Sequence, residues 1–354
     1  MIQLSVKLGE RTYPIFLAEG LLADVPLFQS LLKGRPFFIV SNHHLNAYAQ
    51  ALAQTLGVAG GHCLFLEDGE QYKNMQSLNW ILEQLTEQHF PRQGVLIALG
   101  GGVIGDTVGF AAAVYQRGID FIQVPTSLLA MVDSSIGGKT AVNVGSAKNN
   151  VGAFHQPKAV IMDVQVLTTL PEREYRAGLA EVLKHALIKD ADFFAWLVAH
   201  RLEIAQRQLP IVLEMIQRSC QIKAQIVEQD EKETSLRMLL NFGHTFGHAI
   251  EAYSHYQDFK HGEAVALGML CALRWNQQVK IEADLRALYQ AWNLPETLPP
   301  HYLPHRLYEL MQHDKKKSTQ ALRLILLQEV GKAYIHEETN SQKLKHFWQS
   351  LCSP

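Results

Sequence analysis

The chain has 354 residues, of which 47% are hydrophobic and 19% are charged, a composition typical of a folded globular protein and not of a disordered one. Its 32 basic and 34 acidic side chains give a formal net charge of -2, so no global field draws nucleic acid or an anionic membrane to it. We therefore expect neither as a partner, and an anionic ligand must be held by a local cluster of cations.

The beginning of the chain and its cysteines indicate a cytoplasmic protein. The segment MIQLSVKLGERTYPIFLAEG alternates apolar and polar residues like a hairpin and lacks the basic start and apolar core of a secretion signal. No apolar run is long enough to cross a bilayer. The four cysteines form no Cys-x-x-Cys pair, which argues against a disulfide framework or a zinc knuckle; they are Cys63, Cys220, Cys271 and Cys352.

The first half of the chain alternates short apolar strands with helical segments. Strands are predicted at PFFIVSN, CLFLED, VLIALG, FIQVPTS and AVIMDVQ, and helices at HLNAYAQALAQTL and NMQSLNWILEQLTEQHF. Such alternation predicts a parallel sheet flanked by helices, and VLIALG has the unbroken apolar character of a central strand. Residues 1–169 are therefore predicted to form a Rossmann-like α/β domain.

The second half is predicted to be mostly α-helical. Helical periodicity runs through EREYRAGLAEVLKHALIKD, IVLEMIQRSCQIKAQIVEQDEKE, MLLNFGHTFGHAIEAYSHY and HGEAVALGMLCALRWNQQ. Pro171 followed by Glu172 is typical of a helix start. We place a second, helical domain at residues 170–354, with a late strand at LRLILLQ.

A glycine-rich loop follows the strand VLIALG. Gly100, Gly102 and Gly105 match the G-x-G-x-x-G pattern between a predicted strand and a predicted helix. Small residues let the backbone approach a diphosphate, and the helix amino terminus favours negative charge. A plain glycine-rich turn is the alternative, and the position about a hundred residues into the chain departs from the usual dehydrogenase layout.

Histidines in the second half suggest a metal site. His244 and His248 are four residues apart, which places both on one face of a helix, and His261 heads the next helical segment. Imidazoles with a carboxylate suit zinc, and three protein ligands with an open position are typical of a catalytic site. The alternative at each position is a hydrogen-bonded structural histidine, and the spacing leaves open which histidines bind metal.

Seven blocks of sequence resemble the dehydroquinate synthase family and occur in one order along nearly the whole chain. They are DGEQYK from Asp68, GGGVIGD from Gly100, VPTSLLAMVDSSIGGKTAVN from Val124, AKNNVGAFHQP from Ala147, RAGLAEVLKHALI from Arg176, LRMLLNFGHTFGHAIE from Leu236 and HGEAVALGM from His261. The resemblance implies an NAD-binding α/β domain followed by a helical domain that binds metal and substrate.

The activity implied by the resemblance is that of the shikimate pathway of aromatic amino acid biosynthesis. It converts 3-deoxy-D-arabino-heptulosonate 7-phosphate to 3-dehydroquinate and phosphate by transient oxidation with NAD, phosphate elimination, re-reduction and intramolecular aldol closure. A divalent metal, Zn²⁺ or Co²⁺, acts as a Lewis acid on the reacting hydroxyl. The implied metal ligands are Glu181, His244 and His261, which makes His248 a substrate contact.

The resemblance also assigns the remaining site residues. The implied NAD contacts are Asp68, Gly69, Glu70, Gln71, Tyr72, Lys73, Gly102, Val103, Ile104, Gly105, Asp106, Thr126, Ser127, Lys139, Lys148, Val166, Leu167, Thr168 and Thr169. The implied catalytic and substrate contacts are Asp133, Lys139, Lys148, Asn149, Lys184, Lys223, Arg237, Asn241 and His248, with a lysine from the pair Lys315 and Lys316. Arg117 is expected to reach the phosphate site of the neighbouring subunit in a homodimer.

Two other enzyme classes and one inactive class compete with this interpretation. Another sugar phosphate cyclase would act on a substrate without a carboxylate, but Lys223 and Arg237 then lack an anionic counterpart. A glycerol-dehydrogenase-like oxidoreductase has no need of the phosphate-directed lysines. A catalytically inactive cofactor-binding module does not need the set Glu181, His244, His261, Lys139 and Lys148.

Overall fold

The computed structural model describes residues 1–58, 60–145, 147–254, 257–315 and 321–352. The chain forms two compact units. The first unit comprises Met1–Leu170 together with Val212–Lys232, and the second comprises Pro171–Ile211 together with Glu233–Pro354. None of the described helices combines the length and the apolar character that a membrane-spanning helix requires.

Among the described residues before position 170, the first unit contains nine strands and four α-helices. The strands are β1 (Ile2–Val6), β2 (Tyr13–Ala18), β3 (Phe37–Asn42), β4 (Cys63–Leu66), β5 (Val95–Gly100), β6 (Asp120–Pro125), β7 (Lys139–Val144), β8 (Ala147–Phe154) and β9 (Ala159–Asp163). The helices are α1 (Val25–Leu32), α2 (Asn46–Thr55), α3 (Met75–Glu87) and α4 (Gly102–Val114).

Seven of these strands form one sheet in the order β1-β2-β9-β6-β5-β3-β4. The pair β1 and β2 is antiparallel, and every other pair in this sheet is parallel. All six residues of β5 are buried. Leu96 and Ala98 pack in the core with residues of α3 and α4, whereas Val95, Ile97 and Leu99 pack in the core with residues of α1 and α2, as expected of a central strand covered on both faces.

The remaining strands of the first unit, β7 and β8, form a separate antiparallel hairpin. It carries Lys139 at its first residue and Lys148 in its second strand. No strand is predicted there from the sequence, so this hairpin is a finding of the structure.

The rest of the chain is mostly helical. Its elements are α5 (Glu172–Lys189), α6 (Ala191–Ala199), α7 (Arg201–Ala205), α8 (Leu209–Gln229), α9 (His244–Tyr253), α10 (His261–Trp275), α11 (Val279–Trp292), α12 (Pro304–Lys315), β10 (Leu322–Glu329), β11 (Lys332–Glu338) and α13 (Ser341–Cys352). From Val212 onward α8 belongs to the first unit. The prediction of a parallel-sheet α/β region followed by a mostly helical remainder is confirmed.

Candidate active site

The loops after the parallel strands carry the residues expected to contact NAD. Asn42 ends β3, and its side-chain amide donates to Asp68, which follows β4, over 2.8 Å. Gly102 opens α4 directly after β5. Thr126 follows β6, and its backbone N–H donates to Gly100 O over 3.0 Å. These segments lie at the carboxyl edge of the sheet, where open α/β sheets bind their ligands.

The same edge is completed by the start of α4 and the segment after β9. A β-carbon at Gly105 would lie 2.6 Å from Gln123 Oε1, so glycine lets α4 begin close to the sheet. After β9, the 3-10 helix Val164–Thr168 is followed by Thr169, whose hydroxyl lies 2.8 Å from Tyr48 Oη. The backbone N–H groups that begin α4 favour a diphosphate at this edge.

Lys73 connects three segments of the first unit. Its ammonium group donates to Asp106 Oδ2 and to Asn149 Oδ1, each over 2.5 Å, and its backbone carbonyl accepts the Asn143 N–H over 2.8 Å. Burial raises the pKa of Asp106, and the Lys73 charge opposes that rise. The network therefore ties the segment after β4, helix α4 and the hairpin β7–β8 together.

The substrate residues expected in the first unit lie on the hairpin and around α8. Lys139 is exposed at the start of β7, and Lys148 is half-buried in β8. Asn149 has a left-handed backbone with φ 51°. Lys223 on α8 is buried and donates to the backbone carbonyl of Asp133 over 2.5 Å and to its carboxylate. The structure thus pairs Lys223 with Asp133.

In the second unit, Glu181, His244 and His261 come together. Glu181 lies within α5, His244 begins α9 and His261 begins α10. The distances from Glu181 Oε1 are 3.7 Å to His244 Nε2 and 3.5 Å to His261 Nε2, and three ligand atoms of this set lie within 4.8 Å of one another. Ligands about 2.1 Å from a tetrahedral Zn²⁺ ion lie roughly 3.4 Å apart. The donor set therefore fits one divalent ion.

Close helix packing brings these donors together. A β-carbon at Gly262 would lie 1.9 Å from Ala177 O on α5, and one at Gly268 would lie 2.0 Å from Gly243 O. The first contact sets the approach of α10 to α5, and the second sets its approach to the start of α9. Any side chain at these two positions would separate the helices that carry the three donors.

Burial and the charges around the cluster shift the pKa values of its two imidazoles in opposite directions. Glu181 is fully buried and forms an ion pair with the equally buried Lys184. Burial, assisted by the Lys184 charge, lowers the pKa of His244 to about 3. Burial also acts to lower the pKa of His261, but the charge of Glu251 and hydrogen bonds to Glu181 and Glu251 raise it to about 10. Only a neutral imidazole binds a metal ion, so metal binding at this site competes with protonation of its histidines.

A pocket of about 230 Å³ opens beside His244. Asn241 and His248 line it, as do residues of β10 and the segment just before it. The Asn241 amide donates to Glu233 Oε1 over 3.0 Å. His248 is exposed on α9, whereas Arg237 is buried with 2% of its surface exposed. The structure thus places Asn241 and His248 in one pocket with a candidate metal ligand.

Two residues that lie beside the metal cluster or in this pocket are not predicted from the sequence as site residues. Glu251 is buried, and its Oε2 lies 3.3 Å from His261 Nδ1. Arg323 on β10 lines the pocket next to His248. Glu251 could have been found, because it lies on the same helix three residues after His248 and seven after His244. Arg323 gives no such signal, since it is a single arginine in the otherwise apolar run Leu322–Leu327 of β10.

Three further residues that the sequence assigns to the site belong to none of the groups described above. Arg117 is exposed on the 3-10 turn Tyr115–Arg117, where Gln116 and Arg117 both have positive φ values of 46° and 67°. Lys315 is the last residue of α12. Lys316 lies outside the described residues.

Comparison with known proteins identifies the family. The family model described as 3-dehydroquinate synthase N-terminal matches residues 63–177, and the one described as 3-dehydroquinate synthase C-terminal matches residues 178–317. A 3-dehydroquinate synthase of Halorhodospira halophila (strain DSM 244 / SL1) is 48% identical over 94% of this chain and 95% of that protein. One of Shewanella frigidimarina (strain NCIMB 400) is 45% identical over 98% of each chain.

Solved structures show the same fold. The 2-epi-5-epi-valiolone synthase of Streptomyces hygroscopicus subsp. jinggangensis 5008, with NAD⁺ and Zn²⁺ bound, has a TM-score of 0.87 at 27% identity over 98% of each chain. A 2-deoxy-scyllo-inosose synthase complexed with carbaglucose-6-phosphate, NAD⁺ and Co²⁺ has a TM-score of 0.85 at 26% identity over 99% of each chain. A probable glycerol dehydrogenase from Sinorhizobium meliloti 1021 shares the fold at 15% identity, with a TM-score of 0.65 over 96% of each chain. With both family models matched and near-full-length relatives at 45–48% identity, the chain belongs to the 3-dehydroquinate synthase family.

Proposed function

We propose that this chain converts 3-deoxy-D-arabino-heptulosonate 7-phosphate to 3-dehydroquinate and phosphate, with NAD and a divalent metal. The observation that carries the proposal is the donor set of Glu181, His244 and His261 in a chain of this family. Its relatives at 45–48% identity bear the name of this activity. The 2-epi-5-epi-valiolone synthase and the 2-deoxy-scyllo-inosose synthase, whose names state other activities, are only 26–27% identical to this chain.

The metal site of the proposal uses the Nε2 atoms of His244 and His261 with a carboxylate oxygen of Glu181. When bound, the metal supplies Lewis acidity at a substrate hydroxyl, and NAD supplies a reversible hydride acceptor. Lys184, which pairs with Glu181, orients that carboxylate and limits the negative charge of the site. Zn²⁺ and Co²⁺ both suit this set of one oxygen and two nitrogen donors.

For NAD we propose the carboxyl edge of the first unit's parallel sheet. Support comes from the start of α4, where Gly105 allows a close backbone and the helix end favours a diphosphate. Asp68, held by Asn42, offers a carboxylate to a ribose hydroxyl. The other proposed contacts are residues 69–73, 102–106, 126–127 and 166–169, with Lys139 and Lys148.

We propose that polar and charged residues hold the substrate's phosphate, carboxylate and hydroxyl groups. Lys139 and Lys148 are candidates for anions, because they lie on the hairpin as accessible or half-buried cations. Asn241 and His248 are candidates for hydroxyl groups, since both line the pocket beside His244. The other proposed contacts are Asp133, Asn149, Lys184, Lys223, Arg237 and one of Lys315 and Lys316.

The organisation of the protein is also part of the proposal. We propose a functional boundary between residues 169 and 170, a homodimer, and a cytoplasmic location. The thiols of Cys63, Cys220 and Cys271, which are not in disulfides, suit a reducing compartment.

The support for the homodimer is the position of Arg117. It is exposed on a turn that is held by hydrogen bonds from Tyr115 and Gln116 to the Phe90 carbonyl. Positive φ at two adjacent non-glycine residues is costly and is often found at functional sites.

A substrate comparison tests the proposed function. The protein is incubated with NAD and Zn²⁺ and with either 3-deoxy-D-arabino-heptulosonate 7-phosphate, sedoheptulose 7-phosphate or glucose 6-phosphate, and free phosphate and the cyclic product are measured. We expect turnover with the first substrate alone. Turnover with one of the other two in its place would assign the chain to a different cyclase activity, and NADH accumulation with glycerol would assign it to the alcohol dehydrogenases.

A further inference from the structure

Both imidazoles of the candidate metal cluster have a partner on the nitrogen that is not directed at Glu181. His244 Nδ1 lies 3.2 Å from the Phe242 carbonyl oxygen. His261 Nδ1 lies 3.3 Å from Glu251 Oε2. A carbonyl oxygen and an ionised carboxylate can only accept hydrogen bonds, so a neutral imidazole in either position carries its hydrogen on Nδ1. Its Nε2 lone pair is then available on the side of Glu181.

We infer that Glu251 is a positioning residue for the metal site, which holds His261 in the tautomer and ring orientation that bind metal through Nε2. The inference rests on the metal site proposed above. Histidine ligands commonly donate their second N–H to a carboxylate or a backbone carbonyl, and such partners set the orientation and basicity of the ring. Phe242 fills this role for His244, and Glu251 fills it for His261.

The position of Glu251 in the fold suits this role. It lies on α9, seven residues after His244, and the helical period places the two side chains on the same face. Helix α9 therefore supplies one proposed ligand directly and the support for the second, which begins α10. Only 3% of Glu251 is exposed, and a buried carboxylate is costly unless it is paired.

A competing assignment makes Glu251 a metal ligand itself. His248, Glu251 and His261 also have donor atoms within 4.8 Å of one another. His261 cannot serve both sets for one ion, because its two ring nitrogens point in different directions. The geometry favours the set with Glu181, since Nε2 atoms of two imidazoles approach the same carboxylate oxygen there, whereas His248 is exposed.

Glutamine and alanine substitutions separate the two roles. In Glu251→Gln the side-chain oxygen still accepts the Nδ1–H, but the amide is a poor metal ligand; in Glu251→Ala the acceptor is lost. Zinc affinity is measured on the full-length protein by competition with a chromophoric chelator, and the Co²⁺-loaded protein is examined by visible absorption. We expect Glu251→Ala to weaken zinc binding by about 10-fold to 100-fold with one ion still bound. Glu251→Gln should remain near the wild-type affinity with the wild-type Co²⁺ spectrum.

Two further variants complete the test. Glu338→Ala removes another buried glutamate that lies beside a histidine, His336, on β11, and it should lower thermal stability without changing zinc affinity. His261→Ala should lose the ion. If Glu251→Ala does not fold, Glu251→Gln and its Co²⁺ spectrum decide between support and direct ligation.

Each outcome has a distinct meaning. Wild-type affinity in a folded Glu251→Ala variant would overturn the inference. Loss of zinc in Glu251→Gln to the level of His261→Ala, or a changed Co²⁺ spectrum, would make Glu251 a ligand and also overturn it. If the wild-type protein itself binds no stoichiometric zinc, the proposed metal site fails, and this failure is seen before any Glu251 variant is compared.

Discussion

At the residue scale, the surroundings of three histidines separate the proposed ligands from the proposed substrate contact. His244 and His261 direct Nε2 toward Glu181 and have acceptors for Nδ1. His248 is exposed and lines the pocket, with its ring centre 6.2 Å from that of His261. An accessible imidazole beside the metal ligands is suited to hydrogen bonding with substrate.

Because of this difference, we expect His261→Ala to lose the bound metal and His248→Ala to retain it. His261→Ala should lose bound zinc and lower kcat/KM by at least about 100-fold, because metal activation contributes several kcal/mol to the transition state. His248→Ala should keep one zinc and lose about 10-fold to 100-fold in kcat/KM, because leaving a substrate hydroxyl without its hydrogen-bond partner costs about 1–3 kcal/mol. Metal content by atomic absorption, measured beside the rate, checks both. An equal loss of zinc in the two variants would show that the histidine roles are wrongly assigned.

Only some of the site residues can be predicted from the sequence. The family blocks point to His244, His261 and Glu181, and the helical period could also have pointed to Glu251. The pairing of Lys223 with Asp133 has no local signal, because the two residues are 90 positions apart. A lysine in a helical segment looks solvent-exposed from its sequence, yet Lys223 is 5% exposed.

At the scale of elements, the site depends on how closely α5, α9 and α10 approach one another. Gly262→Ala should move α10 away from α5, because the added carbon would lie 1.9 Å from a backbone oxygen that cannot rotate away. We expect a loss of about 2 kcal/mol in the free energy of unfolding and weaker zinc binding, since His261 is the adjacent residue. Gly61→Ala is the control, because a β-carbon there meets no atom within 4 Å. Unchanged stability and zinc affinity in Gly262→Ala would refute this role for the glycine.

We also expect the hydrogen bonds of Lys73 to hold the hairpin β7–β8 in place. Lys73→Met leaves the Asp106 carboxylate without its ammonium partner in a largely buried site, which should cost about 3 kcal/mol of stability. The hairpin β7–β8 should exchange its amide hydrogens faster, and NAD should bind more weakly. Lys158→Met removes an exposed ion pair with Asp120 and should change each quantity little. Wild-type exchange in the hairpin of Lys73→Met would show that the network does not hold it.

The sequence pattern predicts the sheet better than it predicts the hairpin and α8. Strands such as β5 are continuously apolar because both faces are covered. The strand β8 contains Lys148, two asparagines and a glycine and has no buried residue, so its periodicity gives no strand signal. The helical period of α8 is clear, but local periodicity does not reveal that most of this helix belongs to the first unit.

At the scale of the whole molecule, the homodimer proposal predicts complementation between inactive variants. Arg117→Ala and Lys139→Ala should each lose most of their activity. Removing a charge-assisted bond to phosphate costs about 1.5–3 kcal/mol in each. If Arg117 acts in the neighbouring subunit, a mixed dimer has one site with both residues intact, and mixing under subunit exchange should restore part of the activity. No recovery after verified exchange, or near-normal activity of Arg117→Ala alone, would remove the proposal.

The proposed enzyme needs both metal and NAD but consumes neither. The direct measurement follows phosphate release from 3-deoxy-D-arabino-heptulosonate 7-phosphate by protein stripped with a chelator, with NADH absorbance recorded in the same sample. We predict no turnover until Zn²⁺ or Co²⁺ and NAD are both restored, then many phosphates released per NAD without accumulation of NADH. Full turnover without metal, or NADH formed in step with phosphate, would show that the proposed reaction is wrong.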